Sequence, residues 1–169
     1  GKHDGLGACY YTLERDEKYA YTKPFAKTET VFVKLKSRNI AYDDLRELSP
    51  YVIGTTIGYG YPDNFLQANY LKKEEARSIE LNVRKLLRGR IDLVIAARKV
   101  LITLLNNKFP SQLHLIDMVE KPVGSQKLYV AFSRKTEDYA QKVTDFNTGL
   151  ESMMVDGTID RILQDYGFH

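Results

Sequence analysis

The sequence contains little sulfur, little histidine and no tryptophan, and these shortages exclude whole classes of site. Cys9 is the one cysteine among 169 residues, so no disulfide can form within the chain, and a cysteine-built metal site is not expected. Because Cys9 lies in an apolar stretch, we expect a buried, unreactive thiol. The three histidines show no metal-ligand spacing, so we predict neither a metal nor another cofactor. Tyrosine, by contrast, occurs twelve times, and its ring often lines clefts for polar ligands.

Two further absences concern the surroundings of the chain. No apolar run is long enough to span a membrane, and we recognise no signal peptide at the start. The 25 basic and 22 acidic residues give a net charge of +3, and the basic residues are scattered, which argues against nucleic acid as a partner. The hydrophobic fraction of 43% is ordinary for a globular chain and suffices for one core or for two small lobes.

The most informative segment is 78–98, in which a helical pattern, a glycine and an apolar run follow one another. Apolar residues recur at helical spacing, and Gly89 stands where a helix ends in a left-handed residue. The nearly continuous apolar run 91–97 is typical of a strand covered on both faces, as in a parallel sheet. Since ligands gather beyond the carboxyl ends of parallel strands, Ala97 and Arg98 become candidate site residues.

Alternating strand and helix patterns over 30–132 predict an α/β fold with a largely parallel sheet. Within this region we expect a helix at 63–71, an exposed charged segment at 72–77 and a strand at 113–116. After it, Thr136 is expected to cap a long helix.

Six short motifs, each weak alone, occur in one order along essentially the whole chain. They are Thr12-Leu13-Glu14-Arg15, Tyr21-Thr22-Lys23-Pro24-Phe25, Asp43-Asp44-Leu45 with Val52-Ile53-Gly54, Leu87-Arg88-Gly89-Arg90-Ile91-Asp92, Asn147 to Leu150, and Asp156-Gly157-Thr158. Together they resemble the motifs of family-3 solute-binding proteins, the periplasmic amino-acid-binding type associated with ABC transporters and with some sensors.

The resemblance implies the α/β fold of type II periplasmic binding proteins, in which two lobes are joined by a double-strand hinge and hold the ligand between them. Lobe I would combine 1–25 with 128–169, and lobe II would span 30–125. The chain would cross near 25–29 and return near 126–128. The family's opening strand–helix–strand has no counterpart here, so we expect lobe I to be incomplete, with an apolar surface through which a homodimer could form.

Arg15 is the strongest candidate for ligand binding. The resemblance implies that it clamps the ligand carboxylate, a task that suits the guanidinium fork. Without the resemblance, a solvated arginine in an acid-rich loop is the favoured interpretation of Arg15. Ala8 and Tyr10 fall where the family uses backbone groups and a hydroxyl residue at the end of the same strand, and ordinary packing is the alternative for Tyr10.

A second group of candidates follows another predicted strand. Thr56, Gly58, Tyr59 and Gly60 lie on its turn into a helix that begins near Pro62. Glycines there let peptide N–H groups approach an anion, and the start of a helix adds positive potential. The resemblance implies contacts from this turn to the ligand carboxylate. The alternative is that glycine only permits a tight turn.

Ala97 marks a departure from the family, many of whose members place near this position an aspartate that binds the ligand's α-ammonium group. Here Ala97 and Arg98 take its place, so an ammonium group would lack its counter-charge. We therefore predict a carboxylate-bearing or otherwise anionic ligand rather than an α-amino acid held in the usual way. For Arg98, pointing to solvent is the alternative.

These observations favour a non-enzymatic, periplasmic solute-binding protein that captures a small polar ligand, an amino acid or organic acid, for a membrane permease or a sensor. One alternative is an interaction or sensor module that has lost small-molecule binding. Another is a dehydratase-like enzyme on the same scaffold, which would need a positioned acid or base. Glu14 is the only carboxylate near the candidate residues with a plausible reach, and no histidine falls in a predicted cleft segment.

Overall fold

The computed structural model describes residues 3–167, so residues 1, 2, 168 and 169 at the ends of the predicted lobe I lie outside it. The strands are β1 (Gly5–Tyr10), β2 (Tyr19–Tyr21), β3 (Ala26–Leu35), β4 (Val52–Thr56), β5 (Lys72–Ala76), β6 (Leu93–Ala97), β7 (Ile116–Met118) and β8 (Gly124–Ser133). The helices are α1 (Leu13–Asp16), α2 (Asp63–Leu66), α3 (Ile79–Leu87), α4 (Arg98–Lys108), α5 (Tyr139–Val155) and α6 (Thr158–Asp165). Short 3₁₀ helices span Leu45–Leu48 and Pro110–Leu115. The α/β prediction is confirmed.

The chain divides into two compact units. Unit one comprises Gly1–Thr28 and Gln126–His169, and unit two comprises Glu29–Ser125. The chain passes between them twice, within β3 and near the start of β8.

The sheet of unit two has the strand order β7-β3-β6-β4-β5. β4 runs parallel to β5 and β6, whereas β3 is antiparallel to β6 and β7. The prediction of a largely parallel sheet is therefore wrong. Parallel neighbours need a crossover connection, and here only the stretches that contain α2 and α3 supply one.

Both faces of this sheet are covered by apolar side chains. Alternate residues of β3 point to opposite faces, so Phe32 belongs to one cluster and Val31 with Val33 to another. Every residue of β6 is buried, which confirms the strand predicted from the apolar run. A strand that is buried on both faces needs such a continuous apolar sequence.

The helix before β6 is fixed at both ends and packs closely on β4. The Ser78 hydroxyl accepts a hydrogen bond from the Leu81 N–H at 3.2 Å, and Gly89 has the left-handed φ of 65° that ends the turn. Gly54 of β4 allows the close approach. A Cβ there would lie 2.6 Å from Cδ1 of Ile91 and 2.8 Å from Oδ1 of Asn82.

Unit one is built around a three-stranded antiparallel arrangement in which β8 pairs with both β1 and β2. The register of β1 shifts between Leu6 and Cys9, where the strand carries a bulge. Two helices, α5 and α6, follow β8 and pack on each other. They are separated by Gly157, whose φ is 76°, and the Asp156 carboxylate accepts a hydrogen bond from the Thr158 N–H at 2.9 Å.

Segment 72–77 is mostly exposed, as predicted, and it forms strand β5, because pairing with β4 outweighs its polar composition, and charge is common on a strand at a sheet edge. Three local predictions are wrong. The helix predicted at 63–71 is the single turn α2, and segment 113–116 is mainly 3₁₀ helix before β7. The Thr136 hydroxyl donates to the Ser133 carbonyl at 2.7 Å instead of capping α5, which begins at Tyr139.

Candidate functional site

The candidate arginine of unit one lies on a short capped turn. The Thr12 hydroxyl accepts a hydrogen bond from the Arg15 N–H at 3.2 Å and thereby begins α1. Nη1 of Arg15 donates to the Tyr10 carbonyl at 3.3 Å, and the side chain is half-buried. The Thr12–Arg15 motif is thus a local device that places a guanidinium beside the end of β1.

Tyr10 and Arg15 are therefore brought together, as predicted for residues that share a site. Tyr10 is itself 8% exposed, so its ring packs in the interior while its carbonyl serves as acceptor. Ala8 lies on the bulge of β1 and is exposed, with a φ of 53° that is uncommon outside glycine. The bulge turns the end of β1 at the point where these residues lie.

The sequence reasoning missed a row of tyrosine rings beside Arg15. The Tyr21 hydroxyl donates to the same Tyr10 carbonyl at 3.2 Å. The ring centroid of Tyr21 lies 5.1 Å from that of Tyr11 and 5.5 Å from that of Tyr129. Burial raises the pKa of Tyr21, so its phenol stays protonated and remains a donor at neutral pH. The large number of tyrosines was a signal, but composition could not show which of them meet.

Cys9 is buried next to this group, as predicted. Its thiol donates to the Tyr129 carbonyl at 3.5 Å, and burial raises the pKa of the thiol. A thiol with a raised pKa forms little thiolate at neutral pH, so low reactivity is expected.

The candidate turn of unit two follows β4 directly. Gly58 has a φ of 72°, and the Tyr59 N–H donates to the Thr56 carbonyl at 3.1 Å, which closes the turn. Gly60 is buried. The following helix, α2, is one turn long rather than the predicted nine residues, so its dipole adds little positive potential here.

A second tyrosine pair accompanies this turn. The Thr56 N–H donates to the Tyr61 hydroxyl at 2.7 Å, and the ring centroids of Tyr59 and Tyr61 are 5.3 Å apart. Burial raises the pKa of Tyr61, which keeps that phenol neutral. Tyr61 was also missed from the sequence, where only the turn residues themselves were singled out.

Ala97 and Arg98 lie where predicted, at the carboxyl end of β6. Ala97 is 2% exposed and immediately precedes α4. Nε of Arg98 donates to the Glu29 carboxylate at 2.8 Å, and Nη1 lies 3.6 Å from Sδ of Met118. The guanidinium of Arg98 is thus paired with a carboxylate of its own unit.

Other residues of the resembling motifs hold the scaffold together. The Asp92 carboxylate accepts from the Val52 N–H at 2.8 Å and pairs with Arg38. The Asn147 side chain accepts from the Lys23 N–H at 2.6 Å. These groups therefore connect elements within each unit.

Metal binding needs clustered ligand side chains, and acid–base chemistry needs a positioned acid or base. Within residues 3–167, no cluster of three or more His, Cys, Asp or Glu side chains is arranged to hold a metal ion. The side chain of Glu14, the candidate acid of the enzyme hypothesis, is 82% exposed and pairs with Lys18 at 3.2 Å. Over the same residues, no helix has both the length and the apolarity needed to cross a membrane.

Known proteins resemble this chain in sequence and in fold. The probable amino-acid-binding protein YxeM of Bacillus subtilis (strain 168) is 26% identical over 161 residues, which cover 92% of this chain and 58% of that protein. The chain thus spans less than two thirds of this relative's length. An ancestral arginine-binding protein bound to arginine superposes with a TM-score of 0.79 at 20% identity, covering 99% of this chain and 73% of the other.

The ligand-binding core of GluR0 from Nostoc punctiforme, in complex with L-glutamate, superposes with a TM-score of 0.73 at 17% identity, covering 98% of this chain and 74% of the other. At these identities the superpositions show the α/β fold of the periplasmic amino-acid-binding proteins, as the sequence predicted. The family model of the bacterial extracellular solute-binding proteins, family 3, matches residues 1–169. The chain belongs to that family.

Proposed function

We propose that this chain captures a small, polar, carboxylate-bearing ligand as the binding component of a transporter or sensor. Arg15 binds the carboxylate, and Tyr10 and Ala8 contribute from the end of β1. The turn from Thr56 through Gly58, Tyr59 and Gly60 provides the contacts of unit two, together with Ala97 and Arg98 at the end of β6.

The placement of Arg15 carries this proposal. The Thr12 hydroxyl fixes the Arg15 backbone N–H at 3.2 Å, and the Tyr10 carbonyl accepts from Nη1 of its guanidinium at 3.3 Å, beside the end of β1. A guanidinium has five N–H donors in a rigid fork, enough to bond one carbonyl and to pair with both oxygens of a carboxylate. Preorganisation of this kind lowers the entropic cost of binding.

The end of β6 narrows the ligand class to acids without an ammonium group. The resemblance implies an aspartate near this position in many family members, where it pairs with the ligand ammonium, and this chain has the methyl group of Ala97 there instead. An unpaired ammonium group taken out of water is costly. We therefore expect organic acids to bind more tightly than the amino acids of the same carbon skeleton.

Calorimetric titration of the purified chain tests this proposal. Succinate, glutarate and 3-phenylpropanoate are compared with L-aspartate, L-glutamate and L-phenylalanine. At least one acid is expected to bind more tightly than its amino counterpart, because it carries no unpaired ammonium group. Tighter binding of the amino acids would contradict the assignment of Ala97. Absence of binding by all six would contradict the proposed function.

Arg15→Ala is expected to weaken binding of the best acid by about tenfold to a hundredfold, the range for a hydrogen-bonded charged group. Arg15→Lys keeps the charge but loses the fork, so a smaller loss is expected. Arg161→Ala is the control, since Arg161 is an exposed arginine of the same unit and lies in α6. Equal affinity in Arg15→Ala and Arg161→Ala would remove Arg15 from the site.

The proposal also includes the location of the protein and its partners. The family is described as extracellular, and we propose a periplasmic protein whose partner is a membrane permease or a sensor. Ligand-driven closure of two lobes would be the change that this partner detects. Fractionation of the native host cells, with activity of a cytoplasmic marker as control, tests the location.

A second candidate function is an interaction module without a small-molecule ligand. Unit one supports it, because Val155 is 91% exposed and Leu13 80% exposed, and exposed apolar groups favour contacts with other chains. A homodimer through this unit would follow. Sedimentation across a range of concentrations tests the dimer, and a thermal-shift screen with metabolites separates the two functions, since only a binder is stabilised by a ligand.

A further inference from the structure

We propose that the ligand's carboxylate is attached to a planar, aromatic group, which stacks on the tyrosine rings beside Arg15. This inference rests on the proposed function and names the ligand class within it. Tyr11 and Tyr21 would form the stacking surface.

The Arg15 guanidinium and the Tyr21 hydroxyl share one hydrogen-bond acceptor. The Tyr10 carbonyl accepts from Nη1 of Arg15 at 3.3 Å and from the Tyr21 hydroxyl at 3.2 Å. The guanidinium and the Tyr21 phenol therefore lie side by side. A carboxylate bound by Arg15 places whatever it is attached to next to this phenol.

The ring of Tyr11 is both accessible to solvent and held in place. Tyr11 is 44% exposed, yet its ring centroid lies 5.1 Å from that of Tyr21 at a tilt of 55°. Its hydroxyl donates to the Asp16 carboxylate at 3.3 Å, and the ring centroid of Tyr129 lies 5.5 Å from that of Tyr21. An exposed ring fixed in this way can stack on a planar ligand at little entropic cost.

Unit two repeats part of this combination in the proposed site. There the turn at Gly58, rather than an arginine, is the proposed anion contact, and the ring centroid of Tyr59 within the turn lies 5.3 Å from that of Tyr61, which is 5% exposed. In the proposed site, each unit thus places a contact for negative charge beside neighbouring tyrosine rings. Ala97 adds a methyl group instead of a charge, which suits an apolar ring better than an ammonium group.

The test is calorimetric titration with 3-phenylpropanoate and 3-cyclohexylpropanoate. The two acids share the carboxylate and the linker, and they differ in whether the ring is planar and aromatic. The aromatic acid is expected to bind about threefold to tenfold more tightly, the range contributed by an aromatic pair beyond its buried area.

Variants of Tyr11 assign this preference to the proposed rings. Tyr11→Leu should abolish the preference for the aromatic acid, whereas Tyr11→Phe, which keeps the ring and loses the hydroxyl, should retain it. Tyr70→Leu is the matched control, since Tyr70 is a comparably exposed tyrosine of unit two, at 46%. Far-ultraviolet circular dichroism melts of each variant confirm that it is folded.

Each outcome separates the two proposals. Equal or tighter binding of the cyclohexyl acid overturns the aromatic inference but leaves carboxylate binding by Arg15 intact. A preference that survives in Tyr11→Leu overturns the role of these rings. If neither of these two acids binds while succinate or glutarate does, the aromatic inference fails and the proposed function stands. If none of the acids or amino acids binds, both fail.

Discussion

The two units bury very different amounts of apolar surface. All of the largest fully buried side chains belong to unit two, among them Phe32, Phe65 and Ile95. In the described part of unit one, the buried apolar residues are Cys9, Tyr10, Ala131 and Leu150. Since burial of apolar surface is the main favourable contribution to folding, most of the stability encoded in this sequence belongs to unit two.

The helices show the same difference. In α3 of unit two, Val83 and Leu86 are fully buried. In α6 of unit one, apolar residues recur on one side, yet none is buried, and Ile162 remains 40% exposed. An amphipathic pattern therefore predicts a helix without guaranteeing that its apolar face is covered.

The difference matters for the proposed site, because Arg15 and its tyrosine neighbours belong to the less densely buried unit. Regions with few buried contacts open locally at low free-energy cost. Ligand binding should therefore stabilise unit one more than unit two, which carries its own core.

The largest expected effect compares one phenylalanine from each unit. Phe32→Ala removes a fully buried ring that packs against Tyr42 and Phe65, and should lower the free energy of unfolding by about 3–5 kcal/mol. Phe146→Ala in α5 removes a half-buried ring and should cost clearly less. Urea denaturation followed by circular dichroism measures the loss in free energy of unfolding for both variants. Equal losses would contradict the difference in burial between the two units.

A pair of glycines gives the next effect, with opposite signs in the two units. Gly54→Ala places a methyl group 2.6 Å from Ile91 and should destabilise unit two by about 1–3 kcal/mol. Gly149→Ala, within α5, meets nothing within 4 Å and should stabilise unit one by about 0.5–1 kcal/mol. Thermal melts of the two variants check this. Destabilisation by Gly149→Ala would show that α5 is more tightly packed than described.

The smallest expected effect is a loss of stability in unit one at acid pH. A hydrogen bond from Lys142, at 2.7 Å, lowers the pKa of Asp4. A lowered folded pKa stabilises unit one above the ordinary carboxyl range, and that stabilisation is lost as the pH falls below about 4. Carboxyl carbon shifts in an NMR titration should show the pKa of Asp4 rising in Lys142→Gln and unchanged in the control Lys127→Gln. An unchanged pKa in Lys142→Gln would show that the pair does not persist in solution.

Much of the fold followed from patterns that are local in sequence. The strand β6 and its preceding helix were predictable, because continuous apolar runs and 3.6-residue periodicity report burial directly. The strand β5 was not, because its charged sequence becomes a strand only by pairing with β4, and the single-turn length of α2 was not visible either.

The candidate site likewise contains residues that were predictable from the sequence and residues that were not. Arg15 and the turn at Gly58 were found through motifs, since a cap and a glycine have local signatures. Tyr21 was missed, because its contact with the Tyr10 carbonyl joins residues of two different strands. The ion pair between Arg98 and Glu29 was missed for the same reason.

The most direct test of carboxylate binding by Arg15 is a crystal structure of the chain with the tightest-binding acid from the titrations. If Arg15 binds the ligand, we expect both carboxylate oxygens at about 2.7–2.9 Å from its guanidinium nitrogens, the spacing of charge-assisted hydrogen bonds. A carboxylate bound elsewhere, with the Arg15 guanidinium in contact with protein and solvent alone, would contradict it.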